Sequence, residues 1–122
     1  MSQEMNQDDQ VIKEGCNDVV YIKQDATYHR IYLSEVNWIY AKGNYCTILM
    51  EDAKEYMVRI SLANMLAHIS SILLVRCHRN YVINAKKIEQ YSLTGHLLIA
   101  NQEIPVGKKY KREVEKLLCL ID

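Results

Sequence analysis

Alternation of apolar and polar positions dominates the chain from residue 18 onward. Val19, Val20, Tyr21 and Ile22 form a short apolar run rich in β-branched and aromatic side chains. After a break at Gln24-Asp25-Ala26, the positions from Thr27 to Leu33 alternate between Tyr28, Arg30, Tyr32 and His29, Ile31, Leu33. That is the texture of a hairpin. Ser34-Glu35 breaks the pattern before Val36–Ala41, a third expected strand. Lys42-Gly43-Asn44 is a turn carrying a residue suited to positive φ. Tyr45–Met50 then reads as a fourth strand, Glu51-Asp52-Ala53 as a turn and Lys54–Ile60 as a fifth strand.

The period changes at Ser61, whose hydroxyl suits an N-cap. Leu62, Met65, Leu66 and Ile69 follow at i, i+3, i+4, i+7 spacing, which predicts a short amphipathic helix ending near Ser70-Ser71. Further on, Lys87–Leu93 and His96–Ala100 read as strands joined at Thr94-Gly95, with a tight turn at Asn101-Gln102 and a last strand over Glu103–Val106. From Lys108 the spacing becomes helical, with Tyr110, Val114, Leu117, Leu118 and Ile121 on one face. Short strands at intervals of about ten residues, with one short helix among them, predict a mainly β, antiparallel domain. Residues 1–15 are polar, lack periodicity and end in Lys-Glu-Gly. A leader or linker is therefore expected over residues 1–17 and a folded domain over 18–122.

The 122 residues suffice for one domain with its own core, and 49% apolar with 25% charged residues suits a soluble globular chain. No run approaches the ~20 apolar residues of a membrane span, and no apolar segment of a signal peptide stands at the N-terminus. Cys16, Cys46, Cys77 and Cys119 are scattered without a metal or disulfide framework, which points to reduced thiols and a cytoplasmic location. Net charge is zero, but its distribution is not even. Residues 1–18 hold five carboxylates against Lys13 alone, whereas residues 76–116 hold nine Lys and Arg against four Glu, a net +5. An acidic leader thus masks a basic second half, and a basic face suits an anionic partner.

The stretch from Val75 to Asn84 concentrates the candidate chemistry. It is cationic at Arg76, His78 and Arg79 and turns apolar at Tyr81, Val82 and Ile83, so donor groups precede a short β run that can hold them rigidly. Arg presents a planar fork of donors that matches phosphate oxygens or the O6/N7 edge of guanine. Asn80 and Asn84 add amides that can bond backbone, phosphate or adenine. Enzyme chemistry finds no such cluster. Cys77 and His78 are adjacent on a run of β type, where neighbours point to opposite faces. The four histidines lack ligand spacing and the four glycines form no phosphate-cradling loop. No catalysis, cofactor or metal is expected.

Arg76 to Asn84 resembles the Arg-x-His-Arg-Ser-Tyr-Ile-Val-Asn signature of the LytTR family, the DNA-binding domain of many bacterial response regulators. Asn80 stands where Ser is usual. Three further blocks follow the family pattern in order: Val36–Ala41 with Gly43-Asn44-Tyr45, Arg59-Ile60-Ser61-Leu62, and Ile104-Pro105-Val106-Gly107-Lys108-Lys109-Tyr110. Tyr40 replaces a common Glu, Gly107 a Ser, and Lys108 and Lys109 the commoner Arg. The resemblance spans Asp18 to about Ile121. It implies an elongated stack of small antiparallel sheets with one short internal helix and a C-terminal helix, whose loops on one edge enter successive DNA grooves. It also implies contacts from Asn44 and Tyr45, from Arg79 with His78, and from Lys108. Lys42, Arg76 and Lys109 complete the candidate set. Two copies side by side on direct repeats of double-stranded DNA are what the family leads one to expect, and a domain this small is expected to dimerise weakly or not at all in solution.

Each residue also has a plainer role. Arg79 can pair with a carboxylate such as Glu89, Arg76 can form a scaffold ion pair, and His78 can bond backbone at the start of the strand. Lys42, Asn44 and Tyr45 can be turn residues. Lys109, Lys111 and Arg112 can be a solvated helix face, and Asn84 a cap. Lys108, expected to open the last helix, lies where backbone N–H groups favour phosphate. The expected function is sequence-specific DNA binding in transcription regulation, as the output domain of a two-component phosphorelay regulator or as a stand-alone regulator. The alternative is a β-rich protein-interaction or sensory module that keeps the fold without DNA binding.

Overall fold

The computed structural model describes residues 18–69 and 71–122; the expected leader, 1–17, lies outside them. Strands β1 (Val19–Gln24) and β2 (Thr27–Tyr32) pair as a two-stranded antiparallel ribbon. A 3-10 turn at Leu33–Glu35 leads into β3 (Val36–Lys42) and β4 (Tyr45–Met50), followed by β5 (Glu55–Val58). Helix α1 (Leu62–His68) precedes the hairpin of β6 (Leu74–His78) and β7 (Tyr81–Asn84). Strands β8 (Gln90–Ser92), β9 (His96–Ile99) and β10 (Gln102–Pro105) form a separate meander, and α2 (Lys111–Leu117) ends the regular structure.

The centre is a five-stranded antiparallel sheet in the order β5-β4-β3-β7-β6. It carries a core on each face. Ile39, Cys46, Ile48, Met50 and Val82 face the ribbon residues Ile22 and Ile31 and the α1 residues Leu62 and Met65. Trp38, Cys77 and Ile83 face Leu97, Ile99 and Ile104 of the meander and Val114 of α2. Burial on both faces explains why Val36 to Ile39 are all buried rather than alternating in exposure. The result is three β layers, stacked as small antiparallel sheets.

Local chemistry sets most element ends. Ser61 caps α1 by accepting a 3.1 Å hydrogen bond from the Asn64 N–H. Gly43 opens the β3–β4 turn at φ +61°, which glycine adopts without strain. Ala100 and Asn101 both take positive φ in the two-residue β9–β10 turn, the geometry that matches strand twist. Asn84 is fully buried. Its amide donates to the Val36 carbonyl at 2.9 Å and approaches those of Ser34 and Leu33, while its Oδ1 accepts from the Lys86 N–H at 2.9 Å. The capping role expected of Asn84 is therefore what it has, and the clamp ties the end of β7 to the turn that launches β3.

Three elements differ from the sequence expectation. Leu74–His78 is a strand, so Arg76 and His78 sit on β6 and only Arg79-Asn80 form the turn. The strand expected over Lys87–Leu93 shrinks to β8, because Asn84 caps a 3-10 turn at Ala85–Lys87. The helix expected from Lys108 begins as a 3-10 turn at Lys108–Tyr110, and α2 stops at Leu117. Val114 and Leu118 pack in the second core, whereas Leu117 and Ile121 are exposed.

The buried thiols are inert. Cys77 is fully buried, with its Sγ 3.6 Å from the Pro105 carbonyl oxygen, and burial pushes its thiol up to about 12. Burial raises Cys46 as well.

Asn84→Ala should lower the unfolding free energy by about 1–3 kcal/mol, since it strands buried carbonyls; an unchanged urea midpoint would remove the clamp from the account. In a Cys16→Ser background, a disulfide-exchange reagent should label Cys119 at once and reach Cys46 and Cys77 only as the chain unfolds. The folded Cys77 thiol holds its proton more tightly than the unfolded one. Its contribution to stability is thus whole below pH 9 and is lost as pH rises from 9 toward about 12. Urea titrations of Cys77→Ala across that interval should show a flatter profile than wild type.

Candidate nucleic-acid interface

Three connections come to one edge of the central sheet, and strand pairing is what brings them there. Tyr40 of β3 pairs with Tyr81 of β7, and the Ala41 N–H donates to the Asn80 carbonyl at 2.9 Å. The β3–β4 turn and the β6–β7 turn therefore lie next to each other at the same end of the sheet. The third connection, between β10 and α2, is attached by the Gly107 N–H, which donates to the Cys77 carbonyl at 2.9 Å. Backbone hydrogen bonds thus fix the relative placement of all three.

The first turn exposes Lys42, Asn44 and Tyr45. The second exposes Arg79, and the third Lys108 and Lys109. An open cavity of about 300 Å³ lies between the second and third, lined by His78, Arg79, Gly107, Lys108, Lys109 and Tyr110. Gly107 is at close quarters there: a Cβ on it would lie 3.3 Å from the Tyr110 ring and 3.8 Å from that of His78. The Lys109 ammonium sits 5.7 Å from the Tyr110 ring centroid. Tyr110, expected on the buried helix face, instead lines this cavity.

His78 has a defined hydrogen-bonding state. Its Nδ1 accepts a 3.0 Å bond from the Asn80 N–H, so the neutral ring carries its proton on Nε2 as a donor. The ring also packs edge-on against Tyr81 at 5.7 Å, and Tyr81 stacks on Tyr40 at 5.8 Å. The backbone role expected for His78 is present, and it leaves the other nitrogen free to donate. This aromatic row behind the edge was not legible in the sequence, because cross-strand neighbours depend on register.

Arg79 has no carboxylate partner among the described residues; the ion pairs there join Lys87 to Glu51 and Lys116 to Glu113. The Glu89 pairing weighed for Arg79 is not formed. Arg76 makes no ion pair either. It is half-buried, and its Nε donates to the His78 carbonyl at 3.2 Å while a terminal nitrogen donates to the Arg79 carbonyl. Lys111 and Arg112 are exposed on the first turn of α2, beyond the cavity lining. Among the described residues no group of three or more His, Cys, Asp or Glu is placed to hold a metal ion, and no helix is long and apolar enough to cross a membrane. The edge can thus present cations and neutral donors to an anion, with no carboxylate ion-paired to those cations among the described residues.

No curated protein matches the chain. Among solved structures, it is similar to a chain described as the LytTr DNA-binding domain of a methyl-accepting/DNA response regulator from Bacillus cereus. The two share 22% identity at a TM-score of 0.71, over 84% of this chain and 98% of that one, a likeness of fold. The model of the LytTr DNA-binding domain family matches residues 26–119, which include all three turns of the edge. The chain belongs to the LytTR family of DNA-binding domains.

Proposed function

We propose that this domain recognises a specific double-stranded DNA sequence and acts in bacterial transcription regulation. It would do so in the cytoplasm, as the output domain of a two-component phosphorelay regulator or as a stand-alone regulator. The observation that carries this is the convergence of three donor-bearing turns on one sheet edge, with Arg79, Lys108 and Lys109 unpaired by carboxylates among the described residues. The description of the Bacillus cereus chain as part of a response regulator supports the regulatory context. Residues 18–122 form the binding domain and residues 1–17 a leader or linker.

The division of labour follows from donor chemistry. Arg79, exposed at the tip of the β6–β7 turn, reads base edges through its fork, and His78 donates from Nε2 to a neighbouring phosphate or base. Lys108 and Lys109 neutralise phosphate from the third turn; as point charges they add affinity more than specificity. Lys42, Asn44 and Tyr45 contact the next groove or its flanking phosphates. Two copies bind side by side on direct repeats, and the domain dimerises weakly or not at all away from DNA. The zero net charge and the lysines at 108 and 109 favour one other reading, a protein-interaction module that keeps the fold. Its affinity would depend only shallowly on salt, whereas phosphate neutralisation makes the dependence steep.

Selection from a random duplex pool should enrich a direct repeat, and binding to it should weaken steeply as salt rises. Failure of the folded protein to enrich any sequence would favour the interaction module. Arg79→Ala should cost about 1–3 kcal/mol on the selected site and less on random duplex; equal losses would make Arg79 a positioning contact. Lys111→Ala should weaken all DNA slightly and lower the salt slope by about one unit or less. An unchanged slope would place Lys111 outside the footprint.

A further inference from the structure

The turn that presents Arg79 is held by side chains rather than by its own backbone preference. His78 and Tyr81 are register partners, so Arg79-Asn80 is a two-residue hairpin loop. Such loops favour positive φ, because only the primed turns match the twist of the flanking strands. Neither Arg79 nor Asn80 has positive φ. The two-residue turns elsewhere in the chain do use it, at Gly43 in one and at Ala100 and Asn101 in another. The register also slips between Arg76 and His78, which leaves Cys77 as an extra residue that bends the strand just before the turn. A turn of this kind needs outside support.

We propose that Arg76 is the positioning residue of this turn. Its guanidinium, forked across the carbonyls of His78 and Arg79, holds the tip in the one conformation that projects the Arg79 side chain and the His78 Nε2 toward DNA. Arg76 itself does not meet phosphate.

The surroundings support that role. Arg76 pairs in register with Val82, a residue of the core beneath the ribbon and α1, so its side chain runs from that face up to the sheet edge. Its positive charge is felt by the buried Cys46 thiol, whose rise it partly offsets. The two carbonyls it bonds belong to the residues that carry the contact side chains, and unbonded they would place acceptor dipoles where phosphates arrive. The same tip is tied on its other side by the Asn80 N–H to His78 Nδ1 bond and the Asn80 carbonyl to the Ala41 N–H. Freezing it therefore also fixes its distance from the β3–β4 turn. Lys at position 76 keeps the charge but has a single donor point and cannot span both carbonyls.

The inference rests on the DNA-binding reading of this edge, and its first test is independent of that reading. In the free protein, Arg76→Gln should speed amide exchange at Asn80 and Ala41 at least tenfold, with the β9 amides unchanged. Unchanged exchange at Asn80 and Ala41 would overturn the proposal, and equal acceleration in β9 would reassign Arg76 to global stability. On DNA, Arg76→Gln and Arg76→Lys should both reduce the ratio of selected to random affinity about tenfold while leaving the salt slope on random duplex unchanged. Adding Arg76→Gln to Arg79→Ala should cost little more than Arg79→Ala alone, because one acts through the other. Full rescue by Lys, a salt slope lower by about 0.9, or additive losses would make Arg76 a phosphate contact. Faster exchange at Asn80 and Ala41 with no sequence enriched by the wild-type protein would keep the turn's support and sink the DNA reading instead.

Discussion

The pairing of β3 with β7 is the constraint on which the rest of this structure depends. It joins segments some forty residues apart in sequence, through Trp38 with Ile83, Ile39 with Val82 and Tyr40 with Tyr81. Because both strands are buried on both faces, each pair places both its side chains in one core, and successive pairs alternate between the two cores. Ile39 and Val82 go under the ribbon, Trp38 and Ile83 under the meander. A slip of one residue would exchange these sets and put the wrong shapes into both cores, so the register is strongly specified. That same register sets the Asn80 carbonyl opposite the Ala41 N–H, and with it the alignment of the β3–β4 and β6–β7 turns. The arrangement of this donor-bearing edge is thus a by-product of core packing.

The edge shows how a chain of zero net charge can still present a cationic surface. Total charge is zero, yet Arg79, Lys108 and Lys109 gather around one cavity with no carboxylate pairing them among the described residues. Field at short range is set by nearby groups, because salt screens charges beyond about 10 Å. The carboxylates that do pair lie elsewhere, Glu51 with Lys87 and Glu113 with Lys116. Beside these cations, His78, with Nδ1 engaged by Asn80, has Nε2 left as a directional donor.

Support for the edge comes from residues that take no part in it. Asn84 ties β7 to the turn before β3 from the far end. At the near end, Tyr91 donates a 2.6 Å hydrogen bond to Glu115, joining the meander to α2. Desolvation and the Glu115 carboxylate together push the Tyr91 hydroxyl up to about 12, so the phenol stays a donor across the physiological range. The Lys108–Tyr110 turn sits directly before that helix, so its position is set by packing on both sides.

The chain's own pattern determined the β class, the Ser61-capped helix, the Gly43 turn and the basic character of residues 76–116. Each depends on periodicity, capping or composition over a few neighbouring residues, and such signals survive in one dimension. The ordered blocks ending in Lys108-Lys109-Tyr110 also marked the family. Tertiary structure decided the rest. Leu74–His78 carries Arg, Cys and His and does not alternate cleanly, because a bulge interrupts it, so it reads as a polar approach rather than as a strand. The long strand expected over Lys87–Leu93 gave way to a cap supplied by Asn84, whose other bonds reach back some fifty residues. Arg76 and Arg79 look equivalent in sequence, three residues apart with the same fork. Only the fold separates them, because one lies against two carbonyls of the turn and the other projects from its tip, and nothing local to either residue records that difference.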